Sequence, residues 1–325
     1  MHTLGTIRET RVRLSPLRSR RVVGWGAPRG MTKLHDEVVA IFGPTASGKS
    51  AVAQALADRL GTEVVSADAL QVYRGLAILT NQPDERTRLV AIRDVWETMS
   101  VGEYARLAHA EIDELVERTR CAVVAGGTGL YLRAALVDLD IPPAATSADR
   151  ARLERVYDAN PDAAYERLRE LDPGAGKALH RNDRRRLVRA LELAEAGSSL
   201  VPTEDRLWST HLRRPTLVIG LDVPHAELER RIADRTAAMI ERGVASEVRA
   251  IMQSPVSATA GKALGLQELA TLPVAEAEER ITVRTRRYAA YQRKWMRRIP
   301  GLVLIDGDRP TAEVVDAILD VARAR

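Results

Sequence analysis

Cysteine is almost absent: Cys121 is the only one in 325 residues. That excludes an intrachain disulfide, and a single thiolate cannot build a cysteine-rich zinc site. Cys121 opens an apolar, strand-like run, which predicts a buried structural thiol. Aromatic residues make up only 4% of the chain, while hydrophobic residues reach 45%. The core must therefore be mainly aliphatic. No apolar run is long enough to cross a bilayer, so the chain is expected to stay off membranes, in the cytoplasm. Residues 1–34 are short of acid, with Glu9 alone among many arginines. They also lack helical or strand periodicity and the apolar stretch of a secretory signal. They read as a disordered basic tail, with Met31 the more natural start. A targeting or RNA-gripping arm is the alternative.

Positive charge, in contrast, is plentiful. The net charge is +5 and the pI about 9.5, which favours an anionic partner without naming it. The chain is organised around Gly43-Pro44-Thr45-Ala46-Ser47-Gly48-Lys49-Ser50. This octapeptide fits the phosphate-loop pattern at every fixed position. A β-type run, 38–42, enters it. A helix-type run, 51–60, leaves it, with Ala51, Ala55, Leu56 and Leu60 expected on the buried face. The strand–loop–helix context is what the motif requires. Glycines let successive N–H groups curl around an anion. The helix start adds partial positive charge, Lys49 adds a full one, and the Ser50 hydroxyl can hold Mg²⁺. A phosphorylated ligand follows from this, but ATP does not.

Further short apolar strands are expected at 63–67, 122–125, 216–221 and 302–305. They alternate with helices, among them one opened by Ser100 or Gly102 and running to about 117, and one at about 276–298. That rhythm predicts a parallel sheet covered on both faces. Gly43, Asp68, Gly126 and Asp222 all follow strand ends, so they should meet at one sheet edge, where open α/β sheets bind ligands. Residues 140–214 break the rhythm. Three helical runs, the first capped by Ser147 and the others starting at Asn160-Pro161 and at Asn182 or Asp183, predict an inserted all-helical subdomain. It divides the α/β core into 35–139 and 215–325. Arg181, Arg184, Arg185, Arg186 and Arg189 concentrate charge in the insert. A solvated helix face and a nucleic-acid contact both fit that cluster. The 284–298 helix interleaves seven cations with Tyr288, Tyr291 and Trp295. Such a helix can grip phosphates and stack bases, or bury its aromatics and solvate its arginines.

The motifs, in order, resemble the tRNA dimethylallyltransferase (isopentenyltransferase) family from about Val38 onward. The matching stretches are Gly43–Ser50, Ser66-Ala67-Asp68 and Gln71-Val72-Tyr73-Arg74-Gly75. Gly126-Gly127-Thr128 with Tyr131, His180 with Asn182-Asp183, and Arg189 to Glu192 follow. Arg231-Ile232 with Arg235, Met239 and Gly243, and then Thr285, Gln292 and Trp295, complete the set. The resemblance implies a P-loop NTPase-like core with a helical insert. It implies transfer of the dimethylallyl group of dimethylallyl diphosphate to N6 of the adenosine beside a tRNA anticodon, with Mg²⁺. Asp68 is then the general base, with Thr45 and Arg235 beside it. The loop 43–50 and Arg231 or Arg235 would hold the diphosphate. Asp68, Ala69, Leu70, Gln71, Tyr73, Arg74, Gly127, Thr128, Arg184, Arg185, Arg189, Gln292 and Trp295 would meet the tRNA. A monomer of the bacterial type, without a zinc finger, is expected.

The chain also departs from the family pattern. Ala77 and Leu79 stand where an acid and a glycine are usual, and Asn81-Gln82-Pro83 replaces Ala-Lys-Pro. A His pair near 88 is missing. Leu266 replaces a Tyr, and Ala290-Tyr291 replaces a Lys-Arg pair. Two other functions compete: a small-molecule kinase using ATP on the same core, and a non-catalytic RNA-binding relic. Retained Thr45, Lys49 and Asp68 argue against the relic. The helical insert and basic helix argue against the kinase.

Overall fold

The computed structural model describes residues 37–83, 87–139, 141–142, 145–201 and 206–325. The expected tail, 1–34, thus lies outside the described residues. Six parallel strands form one sheet: β1 (Val38–Phe42), β2 (Val64–Ser66), β3 (Thr87–Arg88), β4 (Ala122–Gly126), β5 (Thr216–Asp222) and β6 (Val303–Asp306). Their order is β3-β2-β4-β1-β5-β6. Strand β3, with only two residues, is too short to leave a pattern in the sequence.

Alternation along each central strand feeds two cores. Val38, Ala40 and Phe42 of β1 point to one face, and Val39 and Ile41 to the other. On the second face lie α1 (Lys49–Leu60) and α12 (Thr311–Arg323), which pack against each other. Helix α1 buries Val52, Ala53, Leu56, Ala57 and Leu60. Ala51, expected inside, is exposed. The face is set by the large residues at 52, 56 and 60, and alanine is a weak marker of it.

The first face is covered by α2 (Val101–Thr119), α3 (Gly129–Leu136), α8 (His225–Glu241), α9 (Val244–Ile251), α10 (Leu266–Thr271) and α11 (Val274–Met296). Ser100 caps α2 by accepting the Glu103 N–H at 3.1 Å. Cys121 is buried just ahead of β4.

Between α3 and β5 run α4 (Ser147–Ala159), α5 (Pro161–Leu171), α6 (Pro173–Ala178) and α7 (Arg184–Glu195). Thr146, Asn160, Asp172 and Asp183 cap them in turn. The first cap is thus Thr146, one residue before the one expected. These helices enclose their own apolar cluster, including Leu153, Tyr157, Leu168, Leu187 and Leu191. Leu171, the last residue of α5, is 48% exposed.

Candidate active site

The sheet register puts Phe42 level with Gly126 and Gly220, and Ser66 beside Ala125. The segments that leave β1, β2 and β4 therefore meet at one edge. They can approach only because position 126 is glycine: a Cβ there would lie 2.1 Å from the Ala67 carbonyl oxygen.

Positive φ at Ala46 (64°) and Gly48 (83°) turns the loop's backbone inward. Gly43 leaves room for Ser47, whose Oγ would lie 2.5 Å from an added Cβ. That Oγ is buried without a hydrogen-bond partner among the described residues. Lys49 folds back over the loop, and its Nζ donates to the Pro44 carbonyl at 3.3 Å. Gln292 of α11 reaches in from above. Its Oε1 accepts the Thr45 N–H at 2.7 Å, and its Nε2 donates to the Gly127 carbonyl at 2.8 Å. From α8, Arg235 donates to Thr45 Oγ1 at 2.7 Å. Two helices far along the chain from the loop thus hold it in place.

A cavity of about 110 Å³ opens over the loop. Thr45, Lys49, Ser50, Asp68 and Arg235 give it a polar part; Leu70, Leu79, Met239, Leu264 and Ile281 give it an apolar one. Gln71, Thr285, Tyr288 and Gln292 are also part of the wall. Burial lowers the Lys49 pKa to about 8; the nearby Asp68 opposes this drop and Arg235 adds to it. Burial also lowers the Arg235 pKa, against the pull of Asp68. Two cations face one carboxylate, which leaves a positive site suited to a polyanion. Burial raises the Tyr288 phenol to about 12, with a contribution from Asp68. Asp68 Oδ1 accepts the Leu70 N–H at 2.9 Å. Its other oxygen makes no hydrogen bond among the described residues.

The other expected site residues divide. Ala69 donates its N–H to Thr128 Oγ1 at 3.2 Å, which ties the segment after β2 to the start of α3. Gln71 is committed to its own loop: its Oε1 accepts from Ser66 Oγ at 2.8 Å, and its Nε2 donates to the Asn81 carbonyl at 3.0 Å. Tyr73 does not reach the site. It is fully buried, and its hydroxyl is engaged by Thr259 at 2.6 Å and by the Met99 N–H at 3.2 Å. Arg74 faces outward and pairs with Asp94. Arg231 is also elsewhere, paired with Glu227 and Asp308 at 2.6 Å each. Only Arg235 of the two candidate arginines lines the cavity.

Trp295 packs on Gly129 and against Trp208, with ring centres 4.9 Å apart; Arg298 sits 4.0 Å over Trp208. In the insert, Arg184 chelates Asp158 with two 2.7 Å bonds, and Arg189 pairs with Glu192. Arg185 and Arg186 are exposed and form no ion pair among the described residues. The cavity-facing positions of Leu79, Met239 and Ile281 were not legible in the sequence. A signal was present on α11, where Ile281, Thr285, Tyr288 and Gln292 recur every three or four residues.

No cluster of three or more His, Cys, Asp or Glu able to hold a metal occurs among the described residues. The exposed Ser50 and the half-buried Asp68 both line the cavity, however. That donor set fits Mg²⁺, which keeps several waters and takes the rest of its ligands from a substrate's phosphates.

Comparison with known proteins agrees with this arrangement. The family model described as IPP transferase matches residues 71–299. The tRNA dimethylallyltransferase of Acidothermus cellulolyticus is 38% identical over 303 residues, covering 89% of this chain and 92% of its own. That of Streptomyces coelicolor is 40% identical over 291 residues, 83% and 90% of the two chains. The crystal structure of the tRNA isopentenylpyrophosphate transferase from Bacillus halodurans superposes with a TM-score of 0.64 at 29% identity, covering 89% and 97%. A eukaryotic dimethylallyltransferase acting on tRNA gives a TM-score of 0.76 at 24% identity, a likeness of fold, with 89% and 80% covered. With a P-loop NTPase-like sheet, a phosphate loop braced by two later helices and this breadth of similarity, the chain belongs to the IPP transferase family.

Proposed function

We propose that this protein transfers the dimethylallyl group of dimethylallyl diphosphate to N6 of the adenosine beside a tRNA anticodon. The products are N6-(dimethylallyl)adenosine and diphosphate. The observation that carries the reading is a cavity that combines a phosphate loop, Lys49, Arg235, Asp68 and an apolar wall. A kinase needs no apolar wall beside its transferable phosphate, whereas a prenyl donor has one charged and one greasy end.

In this reading the adenosine N6 attacks C1 of the donor. The C1–N6 bond forms as the C1–O bond breaks, and that bond's electron pair leaves on the diphosphate. Negative charge grows on the leaving oxygens, where the loop amides, Lys49, Thr45 and Arg235 can stabilise it. The N6 proton passes to Asp68, whose second oxygen is available to accept it. Mg²⁺, held by Ser50 and the diphosphate oxygens, would add charge neutralisation on the leaving group. The adenine must leave its stack to enter. Arg185 and Arg186 of the insert, and the exposed cations of α11, suit contact with the anticodon stem by phosphate and shape. The segment 140–214 then serves as a tRNA-contacting subdomain on a P-loop core. No helix among the described residues is long and apolar enough to cross a membrane, in keeping with work in the cytoplasm. We read the enzyme as a monomer.

The test is to incubate the protein with unmodified tRNA and radiolabelled dimethylallyl diphosphate, and separately with γ-labelled ATP. Label is expected in the tRNA nucleoside N6-(dimethylallyl)adenosine. Label moving from ATP to a small acceptor, with none from the prenyl donor, would overturn the reading.

A further inference from the structure

Tyr291 of α11 is an aromatic residue that neither the core nor the proposed chemistry uses. Ile281, Thr285, Tyr288 and Gln292 form the cavity-facing stripe of this helix. Tyr291, three residues after Tyr288, is turned about 60° from it around the helix axis. It therefore stands beside the stripe. Its ring stacks on that of Tyr288, with centres 6.5 Å apart and planes 25° apart, within the usual range for offset aromatic pairs. Tyr288 lines the cavity, whereas Tyr291 is 54% exposed. The pair thus leads from the cavity wall to its rim. Trp295, one turn beyond Tyr291, has its ring committed to Gly129 and Trp208.

A single exposed apolar residue is common on protein surfaces and means little by itself. Tyr291 differs in two ways. It continues an aromatic stack out of a cavity, and cations flank it. Arg287 comes four residues before it and Lys294 three after, so both share its side of the helix. Both are exposed and form no ion pair among the described residues. Elsewhere on α11, acids from other elements hold the cations: Glu268 pairs with Arg284, Glu229 lies 3.9 Å from Arg286, and Asp222 lies 2.7 Å from Arg293. The rim beside Tyr291 therefore keeps its positive charge for a partner outside the chain.

We propose that Tyr291 is a stacking platform for the nucleobase next to the adenosine that enters the cavity, with Arg287 and Lys294 meeting the phosphates of that neighbour. The proposal rests on the prenyl-transfer reading above, which puts the target adenine in the cavity. An adenine drawn out of its stack leaves the adjacent nucleotide at the rim, without its stacking partner. An exposed ring there takes the place of the lost partner. Stacking of this kind accepts any base, because every base has a π-face, and nearby cations add phosphate contacts that fix register. Tyr291 thus holds the strand while the adenine is in the site, and takes no part in bond making.

The experiment measures Kd, at one fixed salt concentration, for an anticodon stem-loop RNA and for two versions that lack the base directly 5′ or directly 3′ of the target adenosine. The proteins are the wild type, Tyr291→Ala and Tyr291→Phe, each with a thermal melt and with dimethylallyl transfer to the intact RNA. Tyr291→Ala is expected to weaken binding of the intact RNA by about five- to 150-fold, the scale of one base stacked on one aromatic ring. Tyr291→Phe should restore it, and binding of dimethylallyl diphosphate should not change. With one of the two abasic RNAs, the penalty of Tyr291→Ala should vanish. Arg287→Ala with Lys294→Ala should lower the log–log salt slope by about 0.7 for each loop phosphate no longer neutralised. A folded Tyr291→Ala that binds the intact RNA like the wild type would overturn the proposal, as would a penalty that persists on both abasic RNAs. A wild type that binds the RNA but transfers no prenyl group would overturn the reading on which the proposal rests, and the proposal with it.

Discussion

Replacing Lys49 with methionine should make the protein more stable and less able to bind its donor. In the unfolded chain Lys49 titrates near 10.5, and in the fold near 8. At about 1.36 kcal/mol per pH unit, that drop corresponds to about 3 kcal/mol. Below pH 8 the lysine is charged in both states, and the fold bears the whole cost of burying it. Between about 8 and 10.5 the unfolded chain binds more protons than the folded one, so wild-type stability gains from rising pH. Lys49 is only half-buried, and water in the cavity reduces the cost. Lys49→Met is therefore expected to gain about 1–3 kcal/mol at pH 7. The gain should shrink as pH rises from about 8 to 10.5. Denaturant unfolding of both proteins across this range measures the difference. Diphosphate should stabilise the wild type by mass action and stabilise Lys49→Met much less. A variant less stable than wild type at pH 7, or a difference that does not change with pH, would refute the reasoning.

Asp68→Asn keeps the side chain's shape and its hydrogen bond from the Leu70 N–H but removes a proton acceptor. Single-turnover rates should fall by about 10²–10⁴, with donor binding nearly intact; a folded variant with normal turnover would end the general-base role. Gln292→Ala leaves the Thr45 N–H and the Gly127 carbonyl without their partner. A loss of about 2–4 kcal/mol is expected from two buried unpaired groups, together with weaker diphosphate binding, both read by thermal melts with and without diphosphate. For tRNA binding, Arg185→Ala with Arg186→Ala should flatten the salt dependence by about 0.7–0.9 in log–log slope for each phosphate no longer neutralised. Arg184→Ala should change that slope less, because Asp158 already holds its guanidinium. Equal slopes in all three proteins would return the cluster to a solvated helix face.

The residues by themselves determined the frame of the site. Gly43 to Ser50 between an apolar strand and a helix is a local pattern, and its chemistry depends on close neighbours in the chain. The short all-apolar strands likewise announced a parallel sheet, because only a sheet buried on both faces needs such runs. Asp68 followed, as the acid at the end of the next strand. The fold decided what depends on contacts between distant segments. Arg231 and Arg235 are one turn apart on one helix and chemically alike. Only packing against Thr45, Glu227 and Asp308 turns one to the cavity and the other away. Tyr73 stands inside a recognisable motif, yet its hydroxyl is spent on Thr259 and Met99 in the core. The insert's arginines look equivalent in sequence, but acids close by in the folded insert neutralise Arg181, Arg184 and Arg189. Arg185 and Arg186 are left without ion pairs among the described residues. Leu79 acquires its place in the cavity wall from Glu247, Gly265 and Ile281. No local pattern marks such a place, because sequence records which side chains exist, whereas burial and pairing arise only when the chain brings remote residues within a few ångströms.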